Sequence, residues 1–590
     1  MKRPAKDKTW RRTLILGFVC LLWFALLSLR LVQLQVLEHA QHKETVLNQN
    51  REDVDILPKR GTIFDRNGLI LASSTPAQHI AYRTQEHDSR QSLRTKMNRL
   101  RDLLPASYSI TRAEEEYVWN RVQDGHAYSR IKRQVPYDVA WQVRSAGIAG
   151  IDFEDSPKRV YPKNTLAGYL LGRTGLDGKG QAGIELSYDA VLGGVAGRSL
   201  DLQDGIRRSF QRVILKPPVP GKDVYLTIDE NIQHFASRRL AQAYAETGAE
   251  WATVIISAPS SGEILAMVNY PPYDPNRKLQ NDSERQRADR NGAIRDVFEH
   301  GSTMKIATFA AALESGAFRM DQTFDCSDGK RAFSKSSIAD HKKLGILTFE
   351  EVFIHSSNMG TTFVADEVGE DSLYEMVMRM GFARRTGIGL PGEEGGRVDP
   401  PDVWDGTHQY AWFSIGYGFS ATALQVLQMA NIVANRGMHI PFHVVKDIPE
   451  DPSALPDRSA PYRRVLDQST SDTLRRLMTQ AVRRGTGVPA QPEGYQAAGK
   501  TGTAQKYLRD LGGYSSDSHI GSFVGFVPAA DPVISMIVVI DNPRGKFYGG
   551  DVAAPVFKDI AERVLLYLRV RRDPGLKRTL LTADSRGETR

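Results

Sequence analysis

Ser302-Thr303-Met304-Lys305 opens the apolar run Ile306-Ala307-Thr308-Phe309-Ala310-Ala311-Ala312-Leu313, and the rest of the chain can be organised around it. The spacing predicts a helix from Ser302 to about Ser315, stopped by Gly316. On such a helix Ser302 occupies the first turn, and Lys305 lies one turn on, on the same face. A serine hydroxyl is a weak nucleophile until a neighbouring base removes its proton. An ammonium cannot do this, so Lys305 is expected to spend time neutral, a state that desolvation and nearby positive charge favour. The free N–H groups and positive end of the helix would stabilise an oxyanion formed during attack.

Two further stretches supply partners for that pair. Ser356-Ser357-Asn358 reads as a loop between one helix that includes Thr348-Phe349-Glu350-Glu351-Val352-Phe353 and another over 361–368. A hydroxyl and an amide two residues apart on a bent loop can point into one cleft. The serine would relay a proton to a leaving amine, and the amide would hold a substrate carbonyl. Lys500-Thr501-Gly502-Thr503-Ala504 reads as an edge strand beside that cleft. Gly502 is expected to clear room for a ligand backbone. The Thr503 N–H would be a second oxyanion donor, and Lys500 would attract a substrate carboxylate. Each short motif alone has a bland alternative: an N-cap, a turn, a surface hairpin. The three in order are the set used by penicillin-binding proteins and serine β-lactamases, which the chain resembles.

Other stretches narrow the resemblance. Lys59-Arg60-Gly61-Thr62-Ile63-Phe64-Asp65-Arg66-Asn67 with Gly68 is similar to the start of class B penicillin-binding proteins. Phe298-Glu299 before Gly301-Ser302, Ile415-Gly416-Tyr417-Gly418 with Thr422, Leu424 and Gln425, and Tyr548-Gly549-Gly550 with Ala554-Pro555-Val556-Phe557 resemble the septal, FtsI-type transpeptidases. The likeness runs from about Lys59 to Phe557. His300 stands where that family usually carries proline, and Tyr161-Pro162-Lys163-Asn164 lacks the glycine expected at its fourth position. A role for His300 in tuning the nucleophile is weighed below a role at the start of the helix.

The resemblance implies the penicilloyl-serine transferase fold, an α+β antiparallel sheet between helices. That domain would follow a single membrane anchor and an elongated, mainly β pedestal and head. It implies a peptidoglycan D,D-transpeptidase that cross-links stem peptides at the division septum. Ser302 would attack the penultimate D-alanine carbonyl, with Lys305 as general base, Ser356 as proton shuttle and Asn358 positioning substrate. Lys500, with Thr501, Gly502 and Thr503, would line the carboxylate-binding strand, and the N–H groups of Ser302 and Thr503 would form the oxyanion hole. β-Lactam antibiotics would acylate Ser302. No cofactor is implied. The partners implied are stem peptides, a SEDS-type (FtsW-like) glycan polymerase and other division proteins.

Composition agrees with an exported, anchored protein. The chain has 590 residues, 41% of them hydrophobic, enough for several domains. Its net charge of +8 is concentrated at the ends: Lys2, Arg3, Lys6, Lys8, Arg11 and Arg12 at the start, and the stretch from Arg569 to Arg590. A nucleic-acid-binding protein would be basic across its folded face, so that class is excluded. Leu14 to Leu29 is apolar apart from Ser28, and counting Thr13 to Val32 with Arg30 snorkelling reaches the roughly 20 residues a span needs. No small-residue cleavage site follows, so the expectation is an uncleaved anchor in the cell inner membrane. Its basic N-terminus would be cytoplasmic and its catalytic part periplasmic. Cys20 in the anchor cannot pair with Cys326 outside it, and the 13 histidines show no metal-binding spacing.

The expected organisation is a basic tail over 1–12, a transmembrane helix over 13–32, a stalk with pedestal and head over 33–220, a transpeptidase domain over 221–568, and a basic tail over 569–590. Asn67-Gly68 predicts a hairpin. The stretch from Glu86 to Arg133 is charge-rich with helical spacing and reads as an irregular head lobe whose charges form a solvated face. Hairpins are expected over 252–269 and 521–540, with a final helix over 553–570. Three rivals stand beside the transpeptidase. A β-lactamase shares the three motifs but has no use for a large anchored head. A β-lactam sensor would carry several spans. A division scaffold would keep only a vestigial cleft. A paralogous transpeptidase for elongation or special conditions is the nearest alternative.

Overall fold

The computed structural model describes residues 7–37, 51–85, 88–126, 128–203, 209–333, 336–404, 407–455, 462–508, 510 and 512–573. Parts of three expected segments lie outside the described residues: 1–6 of the N-terminal tail, 38–50 of the stalk and 574–590 of the C-terminal tail. The chain forms two compact units, residues 1–59 with 194–220, and residues 60–193 with 221–590.

The first unit begins with the helix Asp7–Val32, which continues as a π-helical turn over Gln33–Leu37. Trp10–Val36 is long and apolar enough to cross a membrane, and an 18-residue window within it has a mean hydropathy of 2.4. Its large side chains are exposed, Trp23 and Phe24 among them, as a lipid-facing helix requires. The same unit holds a three-stranded antiparallel sheet in the order Arg51–Ile56, Gly197–Gln203, Ser209–Lys216.

The second unit is built on a five-stranded antiparallel sheet. Its order is Glu263–Tyr270, Trp251–Ala258, Ile534–Asp541, Gly513–Val527, Ala498–Leu508. Strand side chains alternate between faces. Val254, Ile256, Phe523 and Val538 therefore pack on Ile232, Leu240, Phe557, Ile560 and Val564 of the helices Glu230–Thr247 and Ala554–Tyr567. Ile255, Val524, Ile537 and Val539 face the other way, on to Phe309, Leu424 and Leu427 of the helices Lys305–Glu314 and Ala423–Ala434. Both faces are covered, which is why these strands read as continuous apolar runs rather than alternating ones. The result is a sheet between two helical layers, the expected α+β fold.

The head follows the same rules. Ile63–Phe64 and Ile70–Thr75 form the expected hairpin, with the Asp65 carboxylate accepting from Asn67 N and Leu69 N, each at 2.8 Å. Where described, residues 86–133 turn the helical spacing read in the sequence into regular elements, so the lobe is more ordered than expected. Arg90–Leu103 and Arg112–Gln123 are helices, the second started by a capping box between Thr111 and Glu114. They pack with Tyr137–Ser145 on a sheet of Tyr128–Pro136, Ala77–Arg83 and Ile151–Asp155 around Tyr82, Leu93, Met97 and Val118. The charges form the solvated face expected of them, on helices whose apolar stripe is narrow.

Three separate head segments meet on one buried carboxylate. Glu185 accepts from Arg60 Nε and Arg159 Nε, both at 2.6 Å, and from the Tyr161 hydroxyl at 3.2 Å. Arg60 also reaches Asp189 at 2.6 Å. The knot joins residues far apart in sequence in the part of the head that packs against the catalytic layers.

Candidate active site

The helix expected from Ser302 begins three residues later. Gly301–Met304 is a tight 3-10 turn, and the α-helix runs over Lys305–Glu314. The turn is pressed against the edge strand: a Cβ on Gly301 would lie 2.4 Å from the Thr503 carbonyl oxygen. From Lys305 to Ala312 every residue is buried, so the segment is a core helix with a lysine at its first position.

Lys305, fully buried, is held on three sides. Its Nζ lies 2.7 Å from Ser356 O, 2.7 Å from Asn358 Oδ1 and 3.3 Å from Ser356 Oγ. Asn358 Nδ2 donates to Ala339 O at 2.9 Å, which fixes the amide with its oxygen towards Lys305. Two of the three contacts are thus pure acceptors. A neutral amine has two N–H groups and one lone pair. The acceptors use both N–H groups, and the lone pair is left for a serine hydroxyl. Burial lowers the Lys305 pKa to about 7, against a smaller raising effect from Asp340. The Ser302 hydroxyl makes no hydrogen bond among the described residues, so it is unengaged on the turn preceding that amine.

Ser356 bridges to the strand. Lys500 Nζ donates to Ser356 Oγ at 2.8 Å and to Thr501 O at 3.3 Å. Lys500 is also fully buried, and burial, then the Lys305 charge, hold its pKa well below the ordinary lysine value. Ser356 itself adopts φ +56°, a left-handed conformation that costs a non-glycine residue roughly 1–2 kcal/mol. Asn358 is not in a loop, as expected, but opens the helix Asn358–Val368, whose N-cap is Ser357.

On the strand, Thr501 Oγ1 pairs with Thr486 Oγ1 at 2.7 Å, and Thr503 Oγ1 accepts from Gly549 N at 3.1 Å. Ala498–Leu508 is the edge of its sheet, as expected. Gly502 also clears room within the chain itself. The atoms a Cβ there would meet are Ser522 Oγ at 2.3 Å, His300 O at 2.7 Å and Thr303 Cγ2 at 2.8 Å. The chain's own nucleophile turn comes close to Gly502.

Sequence reasoning missed three residues. Glu299 accepts from Gly418 N at 2.7 Å and from the Tyr514 hydroxyl at 2.8 Å, tying the nucleophile segment to the Ile415-Gly416-Tyr417-Gly418 motif and to the strand Gly513–Val527, and burial raises its pKa. Thr486 backs Thr501. Asp340 receives the Ser357 hydroxyl at 2.7 Å. Glu299 had a signal in its closeness to Ser302; Thr486 and Asp340 sit in unpatterned connections with none. Among the described residues no three His, Cys, Asp or Glu side chains gather as a metal site.

Comparison with known proteins agrees with this geometry. Residues 252–562 match the penicillin binding protein transpeptidase domain, and residues 55–226 match the penicillin-binding protein dimerisation domain. The chain is a class B penicillin-binding protein. It is 32% identical over 542 residues to the probable peptidoglycan D,D-transpeptidase PenA of Neisseria meningitidis, covering 91% of this chain and 89% of that one. It is 30% identical over 576 residues to the peptidoglycan D,D-transpeptidase FtsI of Escherichia coli, covering 96% and 93%. Penicillin binding protein 3 of Mycobacterium tuberculosis, solved with aztreonam, superposes with a TM-score of 0.67 at 29% identity, covering 89% of this chain and 99% of that one.

The two departures of this penicillin-binding protein from its family pattern now have physical accounts. Asn164, where glycine is usual, sits at φ +52°, and asparagine is among the few other residues that enter this region readily. His300, where proline is usual, is buried against the Phe298 ring, with centroids 4.0 Å apart. Its Nε2–H donates to Ala421 O at 3.0 Å, because a carbonyl can only accept, and that leaves Nδ1 bare. Burial lowers its pKa to about 3, so it stays neutral and packs the approach to the helix.

Proposed function

We propose that this protein is a membrane-anchored peptidoglycan D,D-transpeptidase working at the division septum. The transpeptidase domain and the relatives that carry that name support the reaction, and the similarity to FtsI supports the septal role. The observation that carries the reading is the convergence of Lys305 and Lys500 on Ser356 Oγ, with Asn358 Oδ1 held on Lys305, next to the turn that carries Ser302.

In this reading Ser302 Oγ attacks the penultimate D-alanine carbonyl of a donor stem peptide while Lys305 Nζ takes the hydroxyl proton. The N–H groups of Ser302 and Thr503 hold the oxyanion. The tetrahedral intermediate collapses, the C–N bond breaks, and the departing D-alanine amine receives a proton through Ser356. Lys500 with Thr501 and Thr503 holds the terminal carboxylate, and Asn358 orients the donor amide. The amine of a second stem peptide then attacks the ester, gives up a proton along the same path, and restores Ser302. β-Lactams stop the cycle at the acyl-enzyme.

The apolar N-terminal helix and its basic flank support a single-pass anchor in the inner membrane with the catalytic unit in the periplasm. The functional divisions proposed are a tail over 1–12, an anchor over 13–32, stalk and head over 33–220, the transpeptidase over 221–568 and a basic tail over 569–590. A SEDS-type, FtsW-like glycan polymerase is the proposed partner.

The test is intact-mass and peptide mapping after benzylpenicillin. One stable adduct on Ser302, absent from a folded Ser302→Ala variant, is expected. An adduct elsewhere, or rapid nitrocefin turnover, would refute a transpeptidase. Rescue of septation by Ser302→Ala in depleted cells would favour a scaffold.

A further inference from the structure

We propose that Asp340 is the positioning residue of this active site: its carboxylate holds the Ser356-Ser357-Asn358 segment so that the acceptors of Lys305 stay in place. The inference rests on the transpeptidase reading above and adds a residue that no motif contains.

The geometry is specific. Asp340 Oδ2 accepts from the Ser357 hydroxyl at 2.7 Å, while Oδ1 accepts from the backbone N–H of Asn358 and from that of Met359 at 3.2 Å. One carboxylate thus binds three donors from three consecutive residues at the start of the helix Asn358–Val368, where the helix dipole favours a negative charge. The Ser357 oxygen accepts in turn from Gly360 N at 2.9 Å, so Asp340 also orients the helix cap. The neighbouring Ala339 carbonyl receives Asn358 Nδ2 at 2.9 Å and turns Asn358 Oδ1 towards Lys305. Residues 339 and 340 together fix the backbone and the side chain of the loop.

This anchorage explains a strained conformation. Ser356 at φ +56° directs its carbonyl to Lys305 at 2.7 Å and its hydroxyl to Lys500 at 2.8 Å. A serine does not stay in the left-handed region unless its flanks are fixed. Asp340 fixes the C-terminal flank, and the hydrogen bond from Ser356 N to Phe353 O at 3.1 Å fixes the other. Without the carboxylate, the loop would relax and the two acceptors that define the Lys305 lone pair would move.

Asp340 also brings a negative charge to a cluster of bases. The charged groups that act with Lys305 are Lys500 from the edge strand, and Asp340 and His341 from the segment after Ser337–Ala339; His355, after the helix Phe349–Ile354, and Lys342 act on His341 instead. Burial lowers the pKa of both histidines, and Asp340 opposes the effect of burial on Lys305. Removing its charge therefore shifts the protonation of Lys305 towards lower pH.

The experiment measures the second-order rate of benzylpenicillin acylation at Ser302 against pH, in the full-length protein in detergent, for wild type, Asp340→Asn and Asp340→Ala. Asparagine keeps an oxygen for the two backbone N–H groups but carries no charge. Asp340→Asn is expected to keep most of the rate with its midpoint displaced to lower pH. Asp340→Ala is expected to lose about 100-fold, the scale of a misplaced catalytic group. Melting temperature is followed in parallel. If both variants acylate at the wild-type rate with an unmoved midpoint, or change the melting temperature alone, the proposal is overturned. If Asp340→Ala does not fold, the midpoint of Asp340→Asn decides. Absence of an adduct on wild-type Ser302 would sink the transpeptidase reading itself, a result distinct from any difference among the variants.

Discussion

Lys305 and Lys500 reach the same hydroxyl, Ser356 Oγ, at 3.3 and 2.8 Å. Two buried ammonium groups sharing one oxygen repel each other and lack water, so each favours the other's neutral form. Ser356 has one proton to give, and it can give it only to an amine with a free lone pair. The arrangement therefore stores a base rather than a salt bridge, as a serine nucleophile without histidine requires.

The first prediction follows from that base. Acylation of Ser302 is expected to rise with pH around a midpoint near the Lys305 value of about 7, then level off. Stability follows the same group. The folded pKa lies below the unfolded value of 10.5, so between about 7 and 10.5 the unfolded chain binds more protons and stability rises with pH. Below about 7 both states are protonated and this dependence ends. Stopped-flow acylation and urea melts over about pH 5 to 9 check both limbs; a flat acylation profile would remove Lys305 as the base.

His300 offers a control on that midpoint. Its pKa of about 3 keeps it neutral throughout the range in which acylation changes. His300→Gln, which can still donate to Ala421 O, is expected to leave the acylation midpoint unmoved. It should flatten the acid limb of stability instead. The folded pKa lies below the unfolded 6.5, so wild type loses stability as pH falls from 6.5 towards 3, and the variant lacks that term. A midpoint that moves with His300→Gln would assign the titration to the histidine.

How much of this was legible in the sequence depends on the kind of contact. Ser302, Lys305, Ser356, Asn358 and Lys500 could be named because chemistry restricts residue type and spacing at those points. The hairpins over 251–270 and 513–541 could be read because apolar strands are punctuated by turn residues. The 3-10 turn at Gly301–Met304 could not, since helix propensity over 302–315 is strong and the tightening comes from the distant strand. The same holds for Gly502. A strand glycine says that something comes close, but only the fold says it is His300 O. Asp340 left no trace because its three donors lie on the far side of a helix and a strand from it in sequence.

Gly502 gives a prediction in which structure and chemistry separate from ligand binding. A methyl group there would meet His300 O at 2.7 Å, a backbone atom that cannot rotate away. Gly502→Ala is expected to push the nucleophile turn off the strand, costing about 1–3 kcal/mol as overpacking does. Acylation should slow by about 100-fold through misplacement of Ser302. If the glycine served a ligand alone, the melting temperature would stay at the wild-type value while acylation fell. Calorimetry beside the acylation assay distinguishes the two.

Glu185 tests the head. It is fully buried and meets Arg60 and Arg159 at 2.6 Å each, with side chains 6% exposed. Glu185→Ala leaves two desolvated guanidinium groups without their shared carboxylate, and breaking such a buried pair costs about 3–5 kcal/mol. Because residues 60–193 pack with 221–590, the loss should appear in the main unfolding transition rather than in a separate early one. Ser302 in the fraction that remains folded should still be acylated, since the knot touches none of the catalytic groups. A urea midpoint within about 1 kcal/mol of wild type, or an isolated early transition for the head, would show that the carboxylate does not hold the two layers together.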